Sequence, residues 1–288
     1  MPRSQLTGRL ETAQLAHQLP AHPAPLPVGG ARATVGDIPL ACVTVEDTKR
    51  AIAEAVERGP RPPMHLVTVN LDHLALASQD TAFGDVIRRC ELPVADGMGA
   101  VWLSRLQPHG PPVPERVTGA TLTEWMVDGG IAGASLFLLG STPEVLERVL
   151  ARAGAASVRI AGTATPPRLV FQSAQLSLQL VRRINATRPD ILLVALGAPL
   201  QELWISRWRD QLDVSVAMGV GGSFDMASGL QRRSPEALQR LGLEWLYRLS
   251  REPRRLWQRY LLRDVPFLLH GFARSLTARI AAASSPGR

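Results

Sequence analysis

Short groups of polar residues and glycines mark the positions in this chain where chemistry could occur. They are residues 68–70 (TVN), 96–99 (DGMG), 114–119 (PERVTG), 139–143 (LGSTP), 197–202 (GAPLQE) and 219–225 (GVGGSFD). Glycine lets a ligand approach the backbone closely, and a helix that begins after such a group offers free N–H groups to phosphate. These positions are therefore where a bound ligand should be sought.

Each group also has a purely structural interpretation. Residues 140–143 (GSTP) form a good helix N-cap, with Pro143 near the first helical position. Asp96-Gly97 fits an ordinary turn, and Asp225 fits a helix cap. Taken singly, the residue types leave both interpretations open.

The polar groups lie among short β-rich runs that alternate with helical patterns. Strands are predicted at residues 65–70, 92–95, 135–140, 158–161, 190–197 and 214–221, and helices at 45–57, 144–153, 173–187 and 201–211. This alternation is typical of a parallel sheet with helices on both faces, where ligands bind beyond the carboxyl ends of the strands. The sequence thus predicts an α/β fold, a Rossmann-like parallel sheet flanked by helices, with a basic C-terminal helical appendage.

Composition divides the chain into three parts. Residues 1–34, rich in Pro, Ala and Gly towards their end, are predicted to be a disordered leader, and residues 35–230 the α/β domain. Residues 231–288 contain 12 Arg against four acidic residues, a net charge of +8, whereas residues 1–230 have 20 basic and 21 acidic residues, a net −1. The positive charge of the protein is therefore confined to the C-terminal appendage, which predicts an anionic partner.

The appendage has the pattern of amphipathic helices that contain aromatic residues and arginines. Helices are predicted at residues 236–251 and 254–263, separated by Pro253, with a third segment after Pro266 in which Arg274 and Arg279 lie off the apolar face. Such helices suit the surface of an anionic membrane. In the alternative interpretation the apolar faces dock on the α/β domain and the arginines are solvated.

Several classes of protein and site are disfavoured by what the sequence lacks. No apolar stretch approaches the roughly 20 residues of a membrane span, and the N-terminal residues do not have the pattern of a signal peptide. Cys42 and Cys90 are expected to be reduced thiols in a cytoplasmic protein. No Asp-x-Asp motif occurs, and the histidines show no paired ligand spacing, so His65 is expected at a strand edge and His73 on a helix surface.

The order and spacing of the longer motifs resemble the WecG/TagA/CpsF family of bacterial glycosyltransferases (glycosyltransferase family 26). The most specific motifs are ADGMGAVWLSR, PERVTGATL, PDILLVALGAPLQE, GVGGSFDMASG and LGLEWLYRLSREPRRLW, and the resemblance extends from about residue 35 to about residue 269. It implies an inverting transfer of a sugar from a UDP-sugar to a polyprenyl-diphosphate-linked saccharide, in cell-surface or exopolysaccharide biosynthesis. It also implies a metal-independent enzyme, peripheral on the inner face of the cell membrane.

The resemblance also implies roles for individual residues. Asp96 corresponds to the catalytic base, although a carboxylate there could instead bind a sugar hydroxyl or hold a loop. The implied substrate-binding residues are Thr68, Asn70, Arg116, Thr118, Gly140, Ser141, Gln201, Asp225, Arg248 and Arg255. Leu200 replaces a lysine of the family pattern, and a third cation expected near Gln258 would have to be Arg259 or Arg254.

Two other functions remain open at this point. An NAD-type oxidoreductase would suit the alternating fold, but no G-x-G-x-x-G opens a helix after the first strand. A non-enzymatic membrane or nucleic-acid adaptor would suit the basic appendage, but the rest of the chain is close to neutral. We therefore expect no nucleic-acid partner. The sequence leaves open whether the sugar is N-acetylmannosamine, its uronic acid, glucose or glucuronic acid, and whether the protein forms a homo-oligomer.

Overall fold

The computed structural model describes residues 30–60, 62–107, 110–240 and 242–273. Most of the predicted leader, residues 1–29, lies outside the described residues, and so do Arg274, Arg279 and the rest of the chain from residue 274. The side chains of Glu236, Arg240 and Arg255 are also outside the description.

The centre of the fold is a parallel sheet of six strands, as the sequence predicts. The strands are β3 (Met64–Val69), β4 (Leu92–Ala95), β5 (Ser135–Gly140), β6 (Arg159–Ala164), β7 (Ile191–Ala195) and β8 (Val216–Gly219). Their order across the sheet is β4-β3-β8-β7-β5-β6, and every neighbouring pair is parallel. The predicted bounds are correct to within two residues, except that β6 continues three residues further.

Helices cover both faces of this sheet. Those of the α/β domain are α1 (Val45–Arg58), α2 (Leu71–Ala77), α3 (Thr81–Arg89), α4 (Met98–Leu106), α5 (Gly119–Val127), α6 (Pro143–Ala155), α7 (Leu169–Gln172), α8 (Ala174–Ala186), α9 (Leu200–Trp208) and α10 (Ser223–Ala227). The side chains of β7 show why two layers of helices are needed. Leu192 and Val194 enter one apolar core and Ile191 and Leu193 the other, because successive residues of a strand face opposite sides.

An N-terminal hairpin was not predicted. Strands β1 (Arg32–Val35) and β2 (Ile38–Ala41) are antiparallel and are joined at Gly36, whose φ of +65° glycine tolerates. The inward residues Ala33, Val35, Ile38 and Leu40 are buried in the same core as Phe83. Strand β1 therefore begins at Arg32, inside the segment that the sequence assigned to the leader.

The C-terminal appendage begins with two short helices rather than the single predicted one. Helix α11 (Glu236–Arg240) and helix α12 (Glu244–Arg251) are separated around Gly242, which has a φ of +72°. A Cβ at Gly242 would lie 2.8 Å from the Cβ of Met98, so the chain turns here directly against helix α4.

The predicted break at Pro253 is confirmed, but the one at Pro266 is wrong. Helix α13 (Pro253–Arg259) passes through a π-helical turn (Tyr260–Asp264), and residues 265–273 continue as helix. In that turn the Val265 N–H donates to the Tyr260 carbonyl, five residues back. The wider turn just before Pro266 interrupts the α-helical hydrogen-bond pattern where proline has no N–H to offer, so the helix passes the proline without ending.

Buried ion pairs hold the long helix α13 against the α/β domain. Arg259 Nε lies 3.2 Å from Asp72 Oδ2 and 3.5 Å from Asp264 Oδ2, and Arg263 pairs with the other oxygen of Asp72. Asp72, on α2, and Asp264 are both buried. Removing one member would leave an unpaired buried charge, which is far more costly than losing an exposed ion pair.

The other side of the appendage is apolar and exposed. Its exposed large side chains are Leu246, Trp257, Leu261, Leu262, Leu269 and Phe272. Within the described ranges, no helix combines the length and the apolar character needed to cross a bilayer.

The Asp264 site predicts a pH-dependent stability. Burial raises the pKa of Asp264 from 3.8 to about 6, Arg259 opposes this rise and Asp72 adds to it. Between those values the folded state binds a proton that the unfolded state has released, so stability falls as the pH rises from about 4 to 6. We expect Asp264→Asn to remove this loss, so that its unfolding free energy relative to wild type rises by roughly 2–3 kcal/mol between pH 4 and 7.

The measurement is urea unfolding at a series of pH values. Asp213→Asn, at an exposed position, is the matched control and should parallel wild type throughout. Parallel curves for wild type and Asp264→Asn would contradict the prediction.

Candidate active site

Asp96 lies at the carboxyl end of β4, where the strand turns into helix α4. Its backbone N–H donates to the Val69 carbonyl at 2.8 Å, and Gly97, which follows it, has a φ of +101°. The Gly119 N–H donates to Asp96 Oδ2 at 3.3 Å. A turn on β4 and the first residue of helix α5 thus hold the carboxylate in a defined orientation.

The surroundings make Asp96 a better proton acceptor than an ordinary aspartate. Burial raises its pKa, the bond from the Gly119 N–H opposes the rise, and the nearby Glu244 carboxylate adds to it. Arg116 and Arg248 act in the opposite direction. Asp96 therefore shares its site with one carboxylate and two guanidinium groups, and two of these three come from the C-terminal appendage.

Arg116 is bound by the appendage. Its Nη1 lies 2.7 Å from Glu244 Oε2, and its Nη2 donates to Gln239 Oε1 at 3.3 Å. Both members of the ion pair are largely buried, at 15% and 16% side-chain exposure. The guanidinium predicted to contact an anionic donor is therefore occupied by a protein carboxylate in this structure.

Arg248 and Asp225 both lie close to Gly222. A Cβ at Gly222 would lie 3.6 Å from Arg248 Nη2 and 3.7 Å from Asp225 Oδ2. Helix α12 thus places Arg248 near the turn that follows β8. Arg255 is in helix α13, but its side chain lies outside the described part of the chain.

Thr68 and Ser223 both lie close to Gly119. A Cβ at Gly119 would be 3.3 Å from both hydroxyl oxygens, so helix α5 approaches the sheet closely here. The same Gly119 holds Asp96. Thr68 was predicted at the site, whereas Ser223 was missed although it lies in the GVGGSFD motif.

A buried hydrogen-bond network joins Asn70 to Gln201. Asn70 Oδ1 lies 2.8 Å from His73 Nδ1, His73 Nε2 lies 3.3 Å from Glu202 Oε1, and Gln201 Nε2 donates to the same oxygen at 2.6 Å. Gln201 Oε1 accepts from the N–H groups of Gly197 and Gly221, at 3.0 and 3.1 Å. The network spans the ends of β3, β7 and β8.

Both histidine placements expected from the sequence are wrong. His73 is only 4% exposed and lies between Asn70 and Glu202, because helix α2 packs this face against helix α9. His65 is 2% exposed, in a strand that has β4 on one side and β8 on the other, so it is not at a sheet edge.

Gly140 and Ser141 lie at the end of β5, away from Asp96. Both have positive φ, and a Cβ at Gly140 would come within 2.4 Å of the Ala195 carbonyl oxygen. β5 is four strands from β4, which ends next to Asp96, a separation of about 19 Å at the usual strand spacing. These residues could contact only a distant part of an extended ligand that also reaches Asp96.

Thr118 has a structural task. Its hydroxyl caps helix α5 by accepting from the Thr121 N–H at 3.1 Å, and Arg233 Nη2 donates to it at 3.1 Å. Arg233 also pairs with Glu124. Arg233 itself was missed, because its partners lie more than a hundred residues earlier in the chain.

Of the two expected substitutes for the third cation, Arg259 is already paired with Asp72 and Asp264, and Arg254 is exposed. Leu200, which replaces a lysine of the family pattern, is buried in the apolar core at the start of helix α9. Among the residues with a described position, no three or more His, Cys, Asp and Glu side chains are grouped so that they could hold a metal ion.

The family comparison agrees with the motifs. Residues 33–281 match the family model described as "Glycosyl transferase WecG/TagA/CpsF family". Since the match covers most of the 288 residues, the chain belongs to this family. It is therefore a glycosyltransferase of cell-surface polysaccharide synthesis, a class that uses a sugar donor and a lipid-linked acceptor.

The position of Glu244 predicts an effect on Asp96. We expect Glu244→Gln to lower the pKa of Asp96, because it removes a repelling carboxylate and frees Arg116 from its counter-ion. The measurement is a carbon-13 NMR titration of the Asp96 carboxyl group. Glu46→Gln, at an exposed position on helix α1, is the control, and an unchanged Asp96 titration in Glu244→Gln would contradict the prediction.

Proposed function

We propose that this family member transfers a sugar from a UDP-sugar to a polyprenyl-diphosphate-linked saccharide, with inversion at the anomeric carbon. The observation that carries the proposal is the Asp96 carboxylate, whose pKa is raised by burial and which lies in the electrostatic field of Arg116 and Arg248. A base and two cations at the carboxyl edge of a parallel sheet suit the displacement of a diphosphate by a hydroxyl.

The reaction is a single displacement. The acceptor hydroxyl oxygen bonds to the anomeric carbon while the bond from that carbon to the diphosphate oxygen breaks, and the electron pair leaves with UDP. The hydroxyl proton passes to Asp96, whose raised pKa favours proton uptake in the transition state.

The two arginines neutralise the leaving diphosphate in this proposal. Arg116 is held by Glu244, so a bound diphosphate would have to replace that carboxylate at the guanidinium. Arg248 lies at the same edge of the sheet, next to Gly222 after the carboxyl end of β8. A planar guanidinium suits phosphate oxygens, and preorganised cations in a partly buried cleft stabilise developing charge better than water does.

We further propose that the appendage binds the inner face of the cell membrane. Trp257, Leu261 and Leu262 are exposed side by side on a helix whose opposite side is fixed by buried ion pairs. Arg251 and Arg254 are exposed nearby. An apolar row with arginines beside it is the arrangement that binds an anionic lipid surface. In this proposal one side of the helix docks on the α/β domain and the other side binds the membrane, so each of the two interpretations of the appendage applies to one side.

The base assignment predicts the behaviour of Asp96→Asn. We expect its rate of UDP release to fall by roughly 10²- to 10⁴-fold, the usual contribution of a general base, while its affinity for UDP stays close to that of wild type. The measurement uses a panel of UDP-sugars carrying N-acetylmannosamine, its uronic acid, glucose or glucuronic acid, with a polyprenyl-diphosphate-saccharide acceptor.

Asp213→Asn is the surface control for this assay and should react at the wild-type rate. No turnover of any donor by wild type would refute the proposed function. Near-normal turnover by Asp96→Asn would refute only the assignment of the base.

The membrane proposal predicts the effect of removing the exposed leucines. We expect Leu261→Ser/Leu262→Ser to bind anionic phosphatidylglycerol vesicles roughly 20- to 300-fold more weakly. Full burial of a leucine is worth about 1.5–3 kcal/mol, and these two side chains are already partly buried, at 48% and 65% exposure. Vesicle sedimentation measures the binding. Leu169→Ser is the matched control, because Leu169 is as exposed as Leu262, 63% against 65%, but lies in the α/β domain. Equal losses in both proteins would contradict a specific role of the appendage.

A further inference from the structure

Asn70 Oδ1 receives two hydrogen bonds from one residue. The His73 backbone N–H lies 3.1 Å from it and the His73 ring Nδ1 lies 2.8 Å from it. A backbone N–H can only donate, so the amide atom at this position must be the oxygen. The Asn70 NH₂ group is therefore turned away from the two His73 donors.

The same geometry defines the ring of His73. Asn70 Oδ1 carries no proton, so Nδ1 must be the donor. On the other side, Nε2 faces Glu202 Oε1 at 3.3 Å. Burial favours a neutral Glu202, but hydrogen bonds from His73 and Gln201 outweigh it and lower the pKa of that carboxyl. The contact with Glu202 orients the ring from the side opposite Asn70.

The position of the Glu202 carboxylate is fixed by Gln201. Gln201 Oε1 accepts two backbone N–H bonds, which fixes its amide and directs Nε2 to Glu202 Oε1. A Cβ at Gly219 would lie 2.6 Å from Gln201 Nε2 and 2.8 Å from Glu202 Oε1, so the end of β8 closes against the pair. Gln201 and Glu202 Oε1 therefore have a defined orientation beside His73, whereas the buried Glu202 Oε2 has no hydrogen-bond partner among the described residues.

We propose that His73 is a positioning residue, which is held by Glu202 on one side of its ring and on the other side fixes the Asn70 amide, so that the Asn70 NH₂ donates to an oxygen of the bound substrate. This role rests on the proposed function, since it assigns Asn70 to that same site. His73 is fully enclosed and acts only through Asn70, so it takes no part in the proton transfer at Asp96.

The protonation of His73 can be tested without any substrate. In nitrogen-15 NMR of histidine-labelled protein at pH 7, we expect His73 to have a proton on Nδ1, the atom that donates to Asn70. The Asn70 amide protons should be close to neither the Nδ1 proton of His73 nor Glu202 in nuclear Overhauser spectra. An Nδ1 without a proton, or Asn70 amide protons against the ring, would overturn the proposal whatever reaction the protein catalyses.

Two substitutions of His73 test separately its contact with Asn70 and its contact with Glu202. His73→Asn places an NH₂ where Nδ1 was and can still donate to Asn70, whereas His73→Gln reaches Glu202 but not Asn70. We expect His73→Gln to lower kcat for sugar transfer about 10- to 100-fold, as when a reacting group is slightly misplaced, with KM for the donor within about twofold. His73→Asn should retain more activity than His73→Gln.

A double-mutant cycle distinguishes positioning from general stability. Asn70→Ser keeps a capping oxygen for helix α2 but has no NH₂. In the Asn70→Ser background, His73→Gln should lower kcat by less than about twofold, because the Asn70 NH₂ group that His73 positions is absent. An equal loss of kcat in both backgrounds, or equal activity of His73→Asn and His73→Gln, would overturn the proposal. No turnover by wild type would instead refute the proposed function, and the NMR result would still decide the state of His73.

Discussion

A buried charge needs an opposite charge, and along the carboxyl edge of this sheet each pair joins distant parts of the chain. Glu202 on α9 is held by His73 on α2, and Asp72 on the same helix is held by Arg259 and Arg263 of the appendage. Arg116 is held by Glu244. These contacts lie more than a hundred residues apart in sequence. The position of the appendage, and through it the electrostatics of Asp96, follows from this requirement.

The fold could be predicted because its signals are local. Strand β7 is a continuous apolar run and β3 and β5 are mostly apolar, and a glycine or a polar residue comes within two residues after the end of each. The hairpin β1–β2 was missed because its short strands directly follow a segment rich in Pro and Gly, which suggested disorder. The continuation of helix α13 past Pro266 was missed for a different reason, since no residue type marks a π-helical turn.

The site was predictable only in part, because pairing partners cannot be read from spacing. Asp96, Thr68 and Gln201 belong to recognisable motifs at strand ends, and the structure brings them to one edge of the sheet. His73 and Asp72 read as ordinary surface residues of a short helix, and only the docking of α9 and α13 buries them. The arginines of the appendage look alike in the sequence. The structure divides them into Arg248 near Asp96, Arg259 and Arg263 in buried pairs, and the exposed Arg251 and Arg254.

The ion pairs of Asp72 also determine the order in which parts of the protein can fold during its synthesis. Helix α2 leaves the ribosome long before Arg259 and Arg263 have been translated, so the nascent α/β domain holds Asp72 without either cation. A chain terminated before residue 259 would keep that uncompensated carboxylate next to Asn70 and His73. The edge of the sheet that contains Asp96 is thus completed only after Arg263 has emerged from the ribosome. Translation products that end before Arg259 lack both cations that pair with Asp72.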